Sequence, residues 1–242
     1  MAVERFVDND GVKIRYLDND PAEPTGLPVV FVPGIVDTAD DYVEALECFG
    51  ARRLLVVEMR GRGGSDAPPS GYTPREQAGD VEAVLDANGF DRFHLMTFSR
   101  GTTPALELAF ARPGLVRTIS IGDYMPAEIG LPPEFAEQLY NSRWRGRPNS
   151  SRVPLHVFQG IQSASRAREL WDDLAALGVP TLIARPTSGG IIDDDREAVY
   201  RRSVPGVEVV TIDVASHDIF RSSRTAYPEA VLEFIGRRTP GE

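Results

Sequence analysis

Apolar positions along the chain fall into short continuous or alternating runs, separated by longer stretches at helical spacing. Residues 3–8 and 12–17 are half-apolar runs flanking Asn9-Asp10-Gly11, which predicts a hairpin. Residues 28–32 and 54–57 are continuously apolar, the pattern of strands covered on both faces. The first of them ends at Pro33-Gly34. Residues 76–87 carry Ala78, Val81, Val84 and Leu85 at helical spacing and close on Asn88-Gly89, a C-cap signal. A strand over 93–98, a helix over 101–111 stopped by Pro113-Gly114, and a strand over 116–121 follow. Later the pattern predicts a helix over 166–177, a strand over 179–184, a helix over 194–203, a strand over 207–212 and a last helix over 224–238. This alternation predicts an α/β fold: a mostly parallel central sheet flanked by helices.

The rhythm breaks between Tyr124 and Ser163, where Pro126, Pro132, Pro133, Pro148 and Pro154 interrupt any long element. A structureless connection of that length is uncommon inside a domain, and such segments usually serve as lids or binding elements. The chain therefore divides into a body, 1–123 with 164–242, and a cap insertion over 124–163.

The 242 residues are 42% hydrophobic, enough for one large core and against disorder throughout. The single cysteine, Cys48, excludes an internal disulfide framework and zinc sites built from several cysteines. A net charge of −10 is a poor footprint for nucleic acid, so no nucleic-acid partner is expected. The acidic start lacks the basic and apolar regions of a secretory signal, and no apolar run approaches the ~20 residues that span a bilayer. The expectation is a cytoplasmic protein acting on a small molecule, with no membrane partner, no metal and no cofactor; its oligomeric state is not legible. Among the 26 basic residues only Lys13 is a lysine.

The chemistry centres on His94-Leu-Met-Thr-Phe-Ser-Arg-Gly101, where an apolar strand runs into Ser99 and a helix follows. That is the context of a nucleophile elbow, G-x-S-x-G, with Thr97 in place of the first glycine. The hydroxyl projects from a sharp turn at a helix start, where backbone N–H groups point outward. A serine hydroxyl needs a base. His94 sits in a strand pattern and reads as structural, and His156 lies in the irregular segment. His217 follows the last strand and can reach the elbow, so it is the expected base.

Together these parts resemble the α/β-hydrolase superfamily, over nearly the whole chain. Val29-Val-Phe-Val-Pro-Gly-Ile35 is similar to the strand and loop that supply the oxyanion hole, with Pro33 where histidine is usual. Glu58-Met-Arg-Gly-Arg-Gly-Gly-Ser-Asp66 is similar to the D-x-R-G-x-G-x-S segment. The stretch from Tyr72 to Val81 looks like the start of the helix before the elbow strand, and Ala215-Ser-His217 matches the histidine loop. The resemblance implies an oxyanion hole from the backbone N–H groups of Ile35 and Arg100; the Arg100 side chain receives no role. It also implies an acid that orients the histidine. The usual position, near Ser188 or Gly189, is empty. Asp123, alone at the end of a strand, is favoured. Asp193 is the alternative, although acids in a helix's first turn are favoured there by its dipole anyway.

In the cap, Tyr124 and Trp144 are candidate pocket residues. The run Arg143, Arg145, Arg147 and Arg152 suits carboxylate recognition, with Arg143 as a candidate contact to an acidic substrate. The leading function is a serine hydrolase of a carboxylic ester, lactone or thioester acting through an acyl-enzyme. A serine at the elbow argues against epoxide hydrolases and dehalogenases, which resemble this fold but carry aspartate there. The alternatives are a non-hydrolytic enzyme of the same fold (lyase, cyclase or cofactor-free oxygenase) and a non-catalytic binding protein.

Overall fold

The computed structural model describes residues 2–241. In chain order its elements are β1 (Val3–Asn9), β2 (Val12–Asp18), β3 (Val29–Val32), α1 (Val43–Cys48), β4 (Leu54–Glu58), α2 (Pro74–Asn88), β5 (Phe93–Phe98), α3 (Thr102–Ala111) and β6 (Val116–Gly122). Then come β7 (Ala127–Glu128), α4 (Phe135–Tyr140), β8 (Arg143–Trp144), β9 (Arg147–Pro148), α5 (Leu155–Ala164), β10 (Arg168–Glu169), α6 (Trp171–Leu177), β11 (Thr181–Ser188), α7 (Asp194–Ser203), β12 (Glu208–Ala215) and α8 (Ala226–Arg238).

Eight strands form one sheet in the order β1-β2-β4-β3-β5-β6-β11-β12. β1 and β2 form the expected hairpin, with Asp10 and Gly11 both at positive φ. That turn suits the right-handed twist of the strands it joins. β2 also pairs antiparallel with β4, and every pair from β4 to β12 is parallel. All residues of β3, β4 and β5 are buried, which explains their unbroken apolar runs. One face packs Val81, Leu85, Leu106 and Leu174 of α2, α3 and α6 against Val30 and Leu95. The other packs Leu46, Val231 and Phe234 of α1 and α8 against Phe31 and Val56. No helix is long and apolar enough to cross a membrane.

Two expectations shift. The helix expected over 166–177 begins only at Trp171, because Arg168–Glu169 pairs with Ala127–Glu128 as a two-stranded clasp. The segment 124–163 holds two short helices, α4 and α5, that apolar residues pull together. Ala136 of α4 packs with Val157, Phe158 and Ile161 of α5 and with Val36 and Tyr72 of the body. Proline sits between these helices or at their edges, where it is tolerated.

Charged residues also hold the insertion down. The Arg152 guanidinium clamps both carboxylate oxygens of Asp41, Nη2 lying 3.1 Å from Oδ1. Arg152 and the Thr38 amide hold the Asp41 carboxyl below its ordinary range, despite burial that pushes it up. A carboxyl depressed in the folded state stabilises above its unfolded pKa, and that contribution is lost as pH falls through the folded value. Arg152→Ala leaves the Asp41 charge without its main partner. The expected cost is about 3 kcal/mol in urea unfolding at pH 7. As pH falls Asp41 protonates and its unpaired charge disappears, so the deficit against the parent is expected to narrow in acid.

Candidate active site

Parallel strands deliver their C-terminal ends to one edge of the sheet, where open α/β folds bind ligands. β5 and β6 pair with Phe98 opposite Gly122, so the next residues, Ser99 and Asp123, leave the sheet side by side. Both take positive φ, 50° and 43°, in the left-handed region that side chains other than glycine rarely adopt. A sharp bend at each strand end aims the side chain along the sheet edge.

Ser99 is 9% exposed. Its Oγ lies 2.8 Å from His217 Nε2. His217 comes from the loop after β12, and its Nδ1 lies 2.7 Å from Asp123 Oδ2. Asp123 is fully buried, and its two oxygens also accept the amides of Ile191 and Ile192 at 2.9 and 2.8 Å. A carboxylate in that position stays fixed and holds the imidazole with Nδ1 as donor and Nε2 free to accept the serine proton. The chain needs Gly190 here: a Cβ would lie 2.6 Å from Asp123 Oδ2 and 2.3 Å from Pro186 Cγ. Asp193 is elsewhere. It caps α7, accepting the Arg196 amide, and its side chain is exposed.

The glycine after the serine is required by a close approach of backbones. A Cβ on Gly101 would sit 2.1 Å from the Pro33 carbonyl oxygen. The missing first glycine has its own solution. The Thr97 hydroxyl is buried 2.8 Å from that of Thr102, and β6 carries Gly122 beside the Thr97 carbonyl, so the larger residue fits.

The loop after β3 lies against the serine: a Cβ on Gly34 would be 3.2 Å from Ser99 Cβ. The Arg100 amide lies in the short turn Ser99–Gly101 just ahead of α3. Ile35 N–H joins none of the turn hydrogen bonds among the described residues.

Asp37 was not singled out by the sequence. It is fully buried, accepts the Gly34 amide at 2.9 Å through Oδ2, and accepts Trp144 Nε1 at 2.7 Å through Oδ1. Burial pushes its carboxyl up, and Arg145 opposes that shift. Its only sequence signal is an acid three residues after Gly34, as in a side-chain turn. Through Asp37 the loop after β3 and the segment carrying Trp144 share one anchor.

The expected pocket residues separate. Trp144 reaches the site, its ring 6.1 Å from the His217 ring, which in turn stacks on Phe98 at 5.2 Å. Tyr124 does not line an open space. It is 3% exposed, packs in the body core, and gives its carbonyl to the Tyr200 hydroxyl. Arg143 is exposed and turns back to the Gly146 carbonyl. It borders an open groove lined also by Trp144, Arg145, Ser216, Asp218, Arg221 and Arg224. Arg145 binds Asp218 through two contacts, at 2.9 and 2.7 Å. With Arg152 on Asp41, half of the arginine run pairs with carboxylates of the protein itself.

The model of the alpha/beta hydrolase family matches residues 29–234. A non-heme chloroperoxidase of Streptomyces lividans is 27% identical over 81% of this chain and 84% of its own. An N-formylmaleamate deformylase of Pseudomonas putida is 26% identical over 88% and 89%. Among solved structures, an esterase from Rhodococcus superposes with a TM-score of 0.78 at 22% identity, covering 98% of this chain and 99% of that one.

Proposed function

We propose that this chain, which belongs to the alpha/beta hydrolase family, is a serine hydrolase that cleaves a carboxylic ester, lactone or thioester of a small molecule. The observation that carries this reading is the unbroken hydrogen-bond relay from Ser99 through His217 to Asp123. In the proposed reaction Ser99 Oγ attacks the carbonyl carbon while His217 Nε2 takes its proton. Asp123 holds the imidazolium that forms. The Ile35 and Arg100 amides bind the oxyanion. The tetrahedral intermediate collapses as His217 returns the proton to the leaving oxygen or sulfur. Water, deprotonated by His217, then releases the acid and restores Ser99. The insertion acts as a cap, with Trp144 as a wall beside the imidazole.

A second reading, an enzyme of this fold that does not hydrolyse, is favoured by the name of the Streptomyces relative. A fluorophosphonate probe tests the nucleophile. The expected result is stoichiometric labelling of Ser99, found by peptide mapping, together with turnover of 4-nitrophenyl acetate. Folded protein that takes up no label overturns the hydrolase reading. Labelling of Ser99 without turnover of any ester moves the choice to the second.

A further inference from the structure

The hairpin of β8 and β9 turns through Arg145 and Gly146, since Trp144 pairs with Arg147. Both turn residues take positive φ, 47° and 79°. A two-residue turn of that kind favours asparagine or glycine, so arginine is an unfavourable choice at its first position. The Arg145 side chain is nevertheless only 6% exposed. It leaves the hairpin and enters the body.

There it meets two loops of the site. Nε and Nη2 grip the two oxygens of Asp218, the residue after His217. Nη1 lies 3.8 Å from Asp37 Oδ1, an ion pair too long for a hydrogen bond. Asp37 in turn accepts the Gly34 amide, beside Ser99, and Trp144 Nε1. The guanidinium lies over the Tyr42 ring at 4.9 Å and the Phe220 ring at 5.5 Å. Phe220 packs edge-on against Phe98, with 5.4 Å between centroids. Phe98 precedes Ser99 and stacks on His217. Burial alone would disfavour the cation, but the groups around it, Asp218 and Asp37 among them, hold Arg145 above its ordinary range.

We propose that Arg145 is a positioning residue: it clasps the His217 loop to the loop after β3, and so holds the imidazole in register with Ser99 and keeps Trp144 beside it. The proposal rests on the serine-hydrolase reading and adds to it the residue through which the insertion sets the geometry. Arg145 acts through Asp218 and Asp37, not on the reacting atoms. Two contacts on Asp218 fix direction as well as distance, because a guanidinium fork and a carboxylate meet in a defined geometry. A small misplacement of a catalytic group is costly, so a clasp outside the relay still bears on the rate.

Arg145→Asn suits the turn and removes the fork. Well below its Tm, this variant is expected to react with a fluorophosphonate about 100-fold more slowly than the parent. A similar loss is expected in kcat for 4-nitrophenyl acetate, with KM little changed. An arginine that only stabilised the fold would lower Tm and leave both rates parental. That result in folded Arg145→Asn overturns the clasp and leaves the hydrolase reading standing, since Ser99 still labels. Asp218→Asn weakens the same bridge from the other side and serves, with the same expectation of slower reaction, if Arg145→Asn does not fold. Trp144 reads the clasp without turnover. The chain has two tryptophans, so Trp171→Phe leaves Trp144 as the sole indole. Acrylamide quenching of its fluorescence is expected to rise when Arg145→Asn is added. A parent that neither labels nor turns over an ester fails the hydrolase reading. In that case unchanged quenching overturns the clasp separately.

Discussion

Ser99→Ala is expected to lower kcat for 4-nitrophenyl acetate by about 10⁶-fold, and His217→Ala by a similar factor, with the double variant no worse than either alone. The reason is mechanical. The hydroxyl, 2.8 Å from Nε2, becomes a nucleophile only as the imidazole takes its proton. Once either member is absent the other has nothing to do, so the second loss costs little. What survives comes from the Ile35 and Arg100 amides and from positioning, which still lift the rate above that of water. The measurement is nitrophenol release by the three purified variants, with folding checked by thermal melting. Multiplicative losses in the double variant would mean that Ser99 and His217 act separately, against the relay. Ser99 is also strained at φ 50°, so alanine relieves nothing and should leave Tm close to that of the parent.

The second large effect is at Asp123. Asp123→Asn is expected to reduce kcat by about 10⁴-fold with little change in KM. An amide cannot accept at both oxygens. Its N–H₂ takes either the Oδ1 position, facing the Ile192 amide, or the Oδ2 position, facing both the Ile191 amide and His217 Nδ1. In the first case the loop at Gly190 is pushed away. In the second the imidazole turns to the tautomer with Nε2 protonated, and the serine loses its base. The control is Asp193→Asn. Asparagine caps a helix about as well as aspartate, and Asp193 faces solvent, so this variant should keep near-parental turnover and stability. The reverse result, with Asp193→Asn inactive and Asp123→Asn active, would reassign the acid.

Much of this arrangement could be read from the chain before any coordinates. Strand and helix order followed from the period of apolar positions, since parallel strands buried on both faces have nothing else to display. Ser99 stood out because a serine and a glycine met at the end of such a strand. Asp123 stood out as a charge where an apolar strand gave way to the irregular segment. What stayed hidden depends on partners distant in sequence. Asp37 and Trp144 are 107 residues apart, and nothing local to either announces the bond. The arginines of the insertion read as ligand-facing or solvated. Two are consumed by Asp218 and Asp41, 73 and 111 residues away. The helices of the insertion were obscured by prolines that mark their edges.

The contact between Ser99 and His217 also spans 118 residues. The loop carrying His217 follows the strand at the far edge of the sheet, and that strand docks only on β11. Closing so long a loop is entropically late, and topologies rich in distant pairings fold slowly. On the proposed function, esterase activity would therefore report the completion of folding and not its early stages. During synthesis the chain has its core strands and Ser99 long before it has His217, the proposed base. The nascent protein carries an unarmed serine until the last strand is in place.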